Sequence, residues 1–482
     1  MRTHRQSLRG FIHALWACAA ALLLSACSTA RPWINAPLTG EAQGPASIMR
    51  PAAQAAAREK PRPIIAAVTL SGGGARAAAF GLGVLRELKA TSFELQGRPT
   101  TLLDEVDLIS GVSGGSVLAA YYAAFGDEVF TSFERDFLLV PFQSGLVRDI
   151  LSPQTLYRLT SPWWGRSNTL ALHLGALFRD VTFGELRARR PSPRLLVTAT
   201  DLTTGAPFEF TPEQFALICS DLDSVPLSFA VTASSSVPLL LSPVTLRNYA
   251  GSCESGMKAA DATVTDRNLS ARLRQRIAAS YQDEERPYLH LVDGGLADNL
   301  GVRGLVDHTM AGGSLDESFG ALPQGSVHHI VLVSVNSERD LGERIDRTDR
   351  VPGVGKVLNA LVFGAGSRFA EETTAMVDDQ ARRLREELHA VRGRPGSPFA
   401  ADAELHVINV SLRSLRDATL RETLLQVPTA FQILPVQVRE LQIAGRMALR
   451  DLPAFQRLQS SLGACARQEV ASPKCDRTAT DP

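Results

Sequence analysis

The fold is indicated most clearly by residues 106–116, VDLISGVSGGS, in a chain of 482 residues. The run 106–110 has the length and composition of a buried β-strand, and the stretch 116–125 has those of a helix. A G-x-S-x-G sequence between a strand and a helix predicts a tight turn that exposes Ser113 at the carboxyl end of the strand. Gly114 then opens the helix, where a free amide stabilises developing negative charge. This stretch therefore predicts an α/β fold with a nucleophilic serine.

Similar strand-length runs alternate with helical segments along the rest of the chain. Further strands are predicted at 64–70, 194–200, 288–292, 329–335 and 405–410, and further helices at 75–89 and 377–391. Strands that alternate with helices pair in parallel and are covered on both faces. The sequence therefore predicts a three-layer α/β/α fold with a mainly parallel central sheet.

A second glycine cluster, SGGGAR at residues 71–76, lies between the first predicted strand and its helix. Three successive glycines let a ligand approach the backbone closely, and Arg76 adds a positive charge. One interpretation is an oxyanion loop that serves the carbonyl attacked by Ser113; the other is a phosphate cradle for a nucleotide. The chain has neither G-x-x-x-x-G-K-[ST] nor G-x-G-x-x-G, which favours the oxyanion loop.

The nucleophile needs a base, and the sequence offers two kinds. Five histidines follow residue 293, as a Ser, Asp, His order would require, but none stands in an evident catalytic motif. His290 and Asp293 are three residues apart on a predicted strand and so point to opposite faces. Asp293 is followed by Gly294 and Gly295, which would let its carboxylate approach a serine hydroxyl directly. Asp201 is a rival acid without the double glycine.

Taken together, three motifs within residues 70–301 resemble those of the patatin-like phospholipases, serine acyl hydrolases with a Ser-Asp dyad. They are Gly72-Gly73-Gly74-x-Arg76, Gly111-x-Ser113-x-Gly115 and Asp293-Gly294-Gly295. The stretches 199–205 and 233–238 are also similar to the family. The sequence departs from the family pattern at Asn299-Leu300-Gly301, where Asn-x-Pro is expected, and in its long C-terminal extension.

The resemblance implies a role for each motif residue. Ser113 would be the nucleophile, and Asp293 the base that activates first the serine and then the deacylating water. The amides of Gly72, Gly73, Gly74 and Gly114 are the expected oxyanion donors. Supporting roles fall to Arg76, Gly111, Gly115, Gly294 and Gly295. The serines at 234–236 are interpreted as a turn before Pro238.

The first 26 residues have the pattern of a secretory signal, with three arginines followed by an apolar run. This run ends in LSAC at 24–27, which resembles the lipobox of bacterial lipoproteins. The resemblance implies that the chain is cleaved before Cys27 and that the Cys27 sulfur is acylated. Ser28 follows, where an aspartate would suggest inner-membrane retention, so the expected location is the outer membrane, facing the periplasm. A flexible lipid-anchored tether is predicted at 27–62, a catalytic domain at 63–462, with its extension at 302–462, and a polar tail at 463–482.

Composition limits the remaining possibilities. With 50 basic and 50 acidic residues and 45% hydrophobic residues, the chain is neither typical of a disordered protein nor basic enough for a broad nucleic-acid surface. No cofactor is implied, and the cysteine spacing does not match a metal site. Beyond Cys27, the chain has Cys219, Cys253, Cys465 and Cys475, and sequence proximity favours pairing 219 with 253 and 465 with 475.

The sequence thus predicts a membrane-anchored lipoprotein that hydrolyses acyl esters of phospholipids or related lipids; no protein partner is implied. Two alternatives remain open. One is a catalytically silent envelope lipoprotein that binds lipid or protein partners, and the other is a histidine-dependent α/β-hydrolase esterase.

Overall fold

The structure is a computed structural model that describes most of the chain. The described residues are 28–38, 62–189, 193–252, 269–283, 285–305, 315–319, 322–340, 349–360, 364–463 and 465–466. The predicted signal segment 1–26 and Cys27 lie outside them. None of the described helices is both long and apolar enough to cross a membrane.

Eleven strands are present in the described residues, and they form two sheets. The strands are β1 Ile64–Leu70, β2 Thr91–Leu95, β3 Arg98–Thr101, β4 Val106–Gly111, β5 Arg194–Asp201, β6 Pro207–Glu209, β7 Val244–Arg247, β8 Tyr288–Val292, β9 Val327–Asn336, β10 Phe399–Ser411 and β11 Cys465–Ala466. The large sheet has the order β10-β9-β1-β4-β5-β8-β7 with β6 beside β5, and the small sheet has the order β11-β2-β3.

The core of the large sheet is parallel, as the sequence predicts. β10, β9, β1, β4 and β5 all run in the same direction. β6, β7 and β8 are antiparallel to their neighbours, which alternation of strands and helices alone does not reveal. Because β8 runs against β5, its carboxyl end brings Asp293 beside the carboxyl-terminal part of β5, where Thr200 pairs with Val292.

Helices cover both faces of the large sheet. Those described are α1 Gly74–Ala90, α2 Gly114–Phe125, α3 Phe142–Ile150, α4 Pro153–Arg158, α5 Arg166–Phe178, α6 Phe183–Ala188, α7 Pro212–Leu217, α8 Leu227–Ser234, α9 Leu269–Ser280, α10 Leu315–Phe319, α11 Val354–Asn359, α12 Ala365–Val391, α13 Ala418–Leu425, α14 Pro435–Arg450 and α15 Pro453–Ser461. Successive residues of β9 face opposite cores: Val331 packs with α1 and α14, whereas Leu332 packs with α12. This confirms the three-layer α/β/α arrangement.

The C-terminal extension belongs to the same fold. It supplies β9 and β10 to the sheet, and its helix α14 packs on α1. At that crossing, a Cβ on Gly83 would overlap the carbonyl of Gln442, so only glycine allows the two helices to come this close. Beside it, fully buried Glu87 accepts hydrogen bonds from Arg450 at 2.7 and 2.8 Å. A buried carboxylate held this way fixes α14 to the first helix of the fold.

Residues 28–38 correct part of the predicted tether. They are not a free linker, because they lie along the domain surface with hydrogen bonds to three distant segments. The Ser28 amide donates to the Thr160 hydroxyl at 2.8 Å, the Asn35 side chain donates to the Arg247 carbonyl at 2.9 Å, and the Leu38 amide donates to the Cys219 carbonyl at 2.8 Å. The prediction of a flexible tether is wrong for these residues. Their hydrogen-bond partners are distant in the sequence, and local composition does not reveal such contacts. The rest of the predicted tether, up to residue 61, lies outside the described residues.

Candidate active site

Ser113 lies on a sharp turn between β4 and α2, as predicted. Its φ of 48° is in the left-handed region that non-glycine residues rarely adopt, which is the strained backbone of a nucleophile elbow. A Cβ on Gly115 would overlap the carbonyl of Leu70, and one on Gly111 would lie 2.5 Å from the Ser116 Cα. The glycines on either side of the serine therefore let the turn pack against β1 and against its own helix.

The Ser113 side chain interacts with the carboxylate of Asp293 and favours its ionised form. Asp293 is buried, and burial raises its pKa from 3.8 to about 6, although the Gly295 amide and the Ser113 hydroxyl act in the opposite direction. The Gly295 amide lies 2.8 Å from the Asp293 Oδ1. A carboxylate with this pKa is a stronger base than an exposed aspartate and is still ionised at neutral pH.

The main chain of Asp293 is also held in place on both sides. Its amide donates to the Ser236 carbonyl at 2.9 Å, and its carbonyl accepts from the Thr200 hydroxyl at 2.8 Å. A Cβ on Gly294 would overlap the carbonyl of Thr198, so the turn after Asp293 can lie against β5 only with glycine there. Glycine at position 294 therefore allows the turn that carries Asp293 to pack closely against β5.

No described histidine hydrogen-bonds to Ser113 or Asp293. His290 is exposed and contacts the Thr245 hydroxyl at 3.0 Å, and His328 pairs with Asp402 at 2.8 Å. His329 and His406 lie beside each other on β9 and β10, and His308 lies outside the described residues. The described part of the site therefore contains a serine and a carboxylate without an intervening imidazole.

Asp201, the rival acid, has a structural role. It is fully buried and pairs with Arg286 at 2.8 Å. It also accepts from the Thr203 amide and the Thr204 hydroxyl, both at 3.0 Å, so its carboxylate holds the turn between β5 and β6.

The glycine loop 72–74 packs directly against the serine turn. A Cβ on Gly72 would lie 3.5 Å from the Ser113 Cβ, and one on Gly114 would overlap the carbonyl of Gly74. In the described residues, the amides of Gly73, Gly74 and Gly114 donate to no protein acceptor, so they are free for an oxyanion. The Gly72 amide, in contrast, donates to the Asn299 carbonyl at 3.0 Å. This corrects the prediction for Gly72, whose function is close packing rather than oxyanion binding.

Arg76 is almost completely buried beside the same loop. Its guanidinium donates to the Val427 carbonyl at 2.8 Å and the Thr429 hydroxyl at 3.3 Å, so it ties the loop to the C-terminal extension. Burial lowers the pKa of Arg76 to about 9, which leaves it protonated at neutral pH. Its charge therefore stays next to Gly73, since a Cβ on Gly73 would lie 3.0 Å from the Arg76 Nη2.

Two groups that support the site were not recognised in the sequence. Ser234, interpreted as part of a turn, ends helix α8 and is fully buried. Its hydroxyl accepts from the Ser113 amide at 2.8 Å and donates to the Thr198 carbonyl at 2.6 Å.

The second group is Asp298. It is buried, its pKa is raised to about 6, and it accepts from the amides of Leu300, Gly301 and Arg303. The only sequence signal was three serines after an apolar helix, and an aspartate next to the departure at 299–301.

The other predicted site residues are cysteines. Cys219 is disulfide-bonded. Its predicted pairing with Cys253 stays a prediction, because residues 253–268 lie outside the described residues, as do Cys27 and Cys475. The described residues contain one group of side chains that could hold a metal ion, at the opposite end of the sheet from Ser113.

Comparison with known proteins places this site in a family. The family model of the patatin-like phospholipases matches residues 68–306, which include the serine turn, the glycine loop and Asp293. No curated protein sequence is significantly similar to the chain.

Among solved structures, the human GIVD cytosolic phospholipase A2 is 13% identical, with a TM-score of 0.44, over 86% of this chain and 65% of the human chain. VipD from Legionella pneumophila is 12% identical, with a TM-score of 0.29, over 83% of this chain and 67% of that chain. These two likenesses are too distant to indicate an activity. The family match covers the residues that build the site. Residues 68–306 therefore form a domain of the patatin-like phospholipases, a family of lipid acyl hydrolases.

Proposed function

We propose that this protein hydrolyses carboxylic esters of phospholipids or related lipids through a Ser113–Asp293 dyad and an acyl-enzyme intermediate. The observation that carries the proposal is that the strained turn brings the Ser113 side chain to the buried carboxylate of Asp293, whose ionised form it favours. The lipid class follows from the family match over residues 68–306.

In the first half of the reaction, Asp293 removes the hydroxyl proton of Ser113 while the oxygen attacks the ester carbonyl. The negative charge moves to the carbonyl oxygen, where the free amides of Gly73, Gly74 and Gly114 can donate hydrogen bonds. The C–O bond to the alcohol then breaks, and the protonated carboxyl of Asp293 gives its proton to the leaving oxygen. This leaves an ester between the acyl group and Ser113.

In the second half, water replaces the alcohol. Asp293, again ionised, removes a proton from the water as its oxygen attacks the acyl carbonyl, and it returns that proton to the Ser113 oxygen as the acyl–serine bond breaks. The products are a fatty acid and a regenerated serine. The same carboxyl therefore acts as base and acid in each half, which suits a pKa of about 6.

The proposed location is the bacterial envelope, with Cys27 acylated and the domain on the periplasmic side of the outer membrane. The docked segment 28–38 supports this proposal, because it fixes where an anchor would leave the domain. The Ser28 amide is bound to Thr160, and the Arg31 guanidinium stacks on the Trp163 ring at 3.8 Å. An acyl chain on Cys27 would therefore emerge beside Trp163.

The surface around this point is apolar and basic. We call it the membrane-facing surface; its exposed apolar side chains are Leu151, Leu156, Tyr157, Trp163, Leu239 and Leu240, and its basic side chains are Arg31, Arg148, Arg158 and Arg166. Arg166 joins its two segments by donating to the Leu239 carbonyl at 2.7 Å. Exposed aromatic and aliphatic side chains next to arginines suit the interface of an anionic bilayer.

The membrane-facing surface is connected to the site. The Ser236 carbonyl, which holds the Asp293 amide at 2.9 Å, is three residues from Leu239. We therefore propose that lipid reaches Ser113 from the bilayer past residues 238–241. This arrangement would spare the substrate a passage through water.

The experiment that tests the activity uses the purified full chain and vesicles of phosphatidylethanolamine and phosphatidylglycerol. Released fatty acids are expected for the wild type and for the control His290→Ala, which replaces an exposed histidine that contacts Thr245. Ser113→Ala should release none, and Asp293→Asn should lose activity by roughly 10²–10⁴-fold, the usual contribution of a general base. Product lipidomics then identifies the ester that is cleaved.

Lipidation is tested separately. Mass spectrometry of the membrane fraction should find an acylated N-terminal peptide that starts at residue 27, and Cys27→Ser should move the protein out of that fraction. A Cys27→Ser protein that stays membrane-bound would contradict the anchor, without bearing on the activity of Ser113.

A further inference from the structure

Three side chains meet on one face of β9 and β10, at the amino end of these strands. In the parallel register Glu404 lies beside His329, and His406 lies two residues further along β10 on the same face. One potential ligand atom from each of the three lies within 4.8 Å of the others. Two residues of β10 and one residue of β9 therefore provide three potential metal-ligand atoms around a common point.

One imidazole nitrogen of each histidine in this cluster lacks a hydrogen-bond partner. Nδ1 of His329 and Nε2 of His406 are both buried, and neither is hydrogen-bonded within the described structure. Nε2 of His406 lies 3.3 Å from Oε2 of Glu404 without hydrogen-bond geometry. Buried ring nitrogens without partners are costly and call for a ligand.

The cluster is partly buried but open to solvent on one side. The side chain of His406 is only 11% exposed, whereas that of Glu404 is 51% exposed and leaves a path from solvent. A neutral ring has a lone pair for a cation, and the carboxylate provides a charged oxygen.

We propose that His329, Glu404 and His406 bind a divalent ion of the zinc class. Two imidazole nitrogens and one carboxylate oxygen are ligands that zinc accepts, with water at the fourth position. Nearby charges balance before the ion binds: Asp402 and Glu404 are negative, and Arg385 and Arg457 are positive. The ion therefore does not enter a strongly positive surrounding.

The site would stabilise the fold and would not take part in catalysis. His329 pairs with Ile64 at the start of β1, whereas the glycine loop and Ser113 lie beyond Leu70 at the other end, roughly 20 Å away along the strand. The β9–β10 register shifts between Phe399 and Glu404, immediately before the cluster. An ion there would hold the two strands in register after the irregularity.

The test is a calorimetric titration of zinc chloride into the purified full chain after chelator treatment and dialysis at pH 7.4. The wild type is expected to bind one ion. His329→Ala, His406→Ala and Glu404→Gln should each weaken binding at least roughly 10-fold, since replacing even a residue that only supports a ligand costs 10–100-fold. Glu404→Gln changes an exposed side chain, so it keeps the test valid if a buried histidine variant does not fold.

The matched control is His290→Ala, which removes an exposed strand histidine from another part of the sheet. It should bind zinc like the wild type, and zinc should raise the thermal midpoint of both proteins but not of Glu404→Gln. A wild type that binds no zinc, or zinc binding that is unchanged in Glu404→Gln and His406→Ala, would overturn the proposal. Either result is independent of ester hydrolysis by Ser113.

Discussion

The hydroxyl of Ser234 accepts a hydrogen bond from the main-chain amide of Ser113 at 2.8 Å, and donates one to the Thr198 carbonyl at 2.6 Å. One buried side chain therefore links the strained turn of the nucleophile to β5. Because the Ser113 backbone is held at a φ of 48°, such a link helps to maintain the serine in the orientation that meets Asp293.

Ser234→Ala should lower both stability and turnover. It leaves the Ser113 amide and the Thr198 carbonyl unpaired in the interior, which should cost about 1–3 kcal/mol in the free energy of unfolding. With the nucleophile less well held, kcat should fall while KM changes little. Urea unfolding and steady-state hydrolysis of a soluble ester measure the two effects.

Ser235→Ala is the matched control for that variant. Ser235 is equally buried, but its hydroxyl has no hydrogen-bond partner in the described residues. Its replacement should leave both kcat and the free energy of unfolding near the wild-type values. Equal losses in the two variants would mean that Ser234 has no specific positioning function.

The pH dependence of kcat/KM should report the ionisation of Asp293. Only the ionised carboxylate can accept the serine proton, so activity should be low at pH 5, rise through about 6 and level off above 7. Initial rates between pH 4.5 and 8 measure this rise of kcat/KM with pH. The same rise should be seen in Asp298→Asn, since Asp298 has a similarly raised pKa but does not contact Ser113. A profile that is flat between pH 5 and 7 would count against Asp293 as the base.

Asp293→Asn should stabilise the protein at neutral pH although it lowers the activity by roughly 10²–10⁴-fold. The folded-state pKa is raised from 3.8 to about 6, so the stability linked to this group is fully present below pH 4 and is lost as pH rises through 6. The shift corresponds to roughly 3 kcal/mol at pH 7.

Unfolding by urea at pH 7.5 and at pH 4 tests this effect. The variant should be the more stable protein by about 1–3 kcal/mol at pH 7.5, and the difference should disappear at pH 4. A variant that is less stable at pH 7.5 would show that the carboxylate is stabilising in its ionised form.

The membrane-facing surface should control vesicle binding without affecting the chemistry. Leu240→Glu should weaken binding of the Cys27→Ser protein to anionic vesicles, because Leu240 is 65% exposed and follows Leu239, whose carbonyl accepts from Arg166. Leu202→Glu is the control, since Leu202 is also exposed but lies in the turn after β5. Vesicle co-sedimentation measures binding. Hydrolysis of a soluble ester should be the same in the Cys27→Ser protein and in its Leu240→Glu and Leu202→Glu variants. Equal binding of both variants would contradict the assignment of the surface.

Much of the fold was predictable from local sequence. β1 and β8 have the predicted bounds, and β4 and β5 extend one residue beyond them, because short apolar runs between turns are a local signal. The antiparallel direction of β8 and the start of α12 at Ala365, far before the predicted 377, were not predictable. They depend on packing between distant parts of the chain.

The same distinction applies to the site. Ser113, Asp293 and their glycines stand in motifs whose spacing indicates their positions, so the sequence identified residues that the structure brings together. Ser234 is a serine among other serines, and its function exists only because α8 ends beside the serine turn. The Gly72 amide was assigned to the oxyanion from its motif, but the Asn299 carbonyl, distant in sequence, occupies it.

The central claim is that Ser113 is a nucleophile activated by Asp293 without a histidine. The most direct measurement is labelling of the purified full chain with a fluorophosphonate probe, followed by mass spectrometry of the modified peptide. The account predicts one label on Ser113 in the wild type, none in Ser113→Ala and strongly slowed labelling in Asp293→Asn. An unlabelled wild-type protein, or a label that remains in Ser113→Ala, would contradict it.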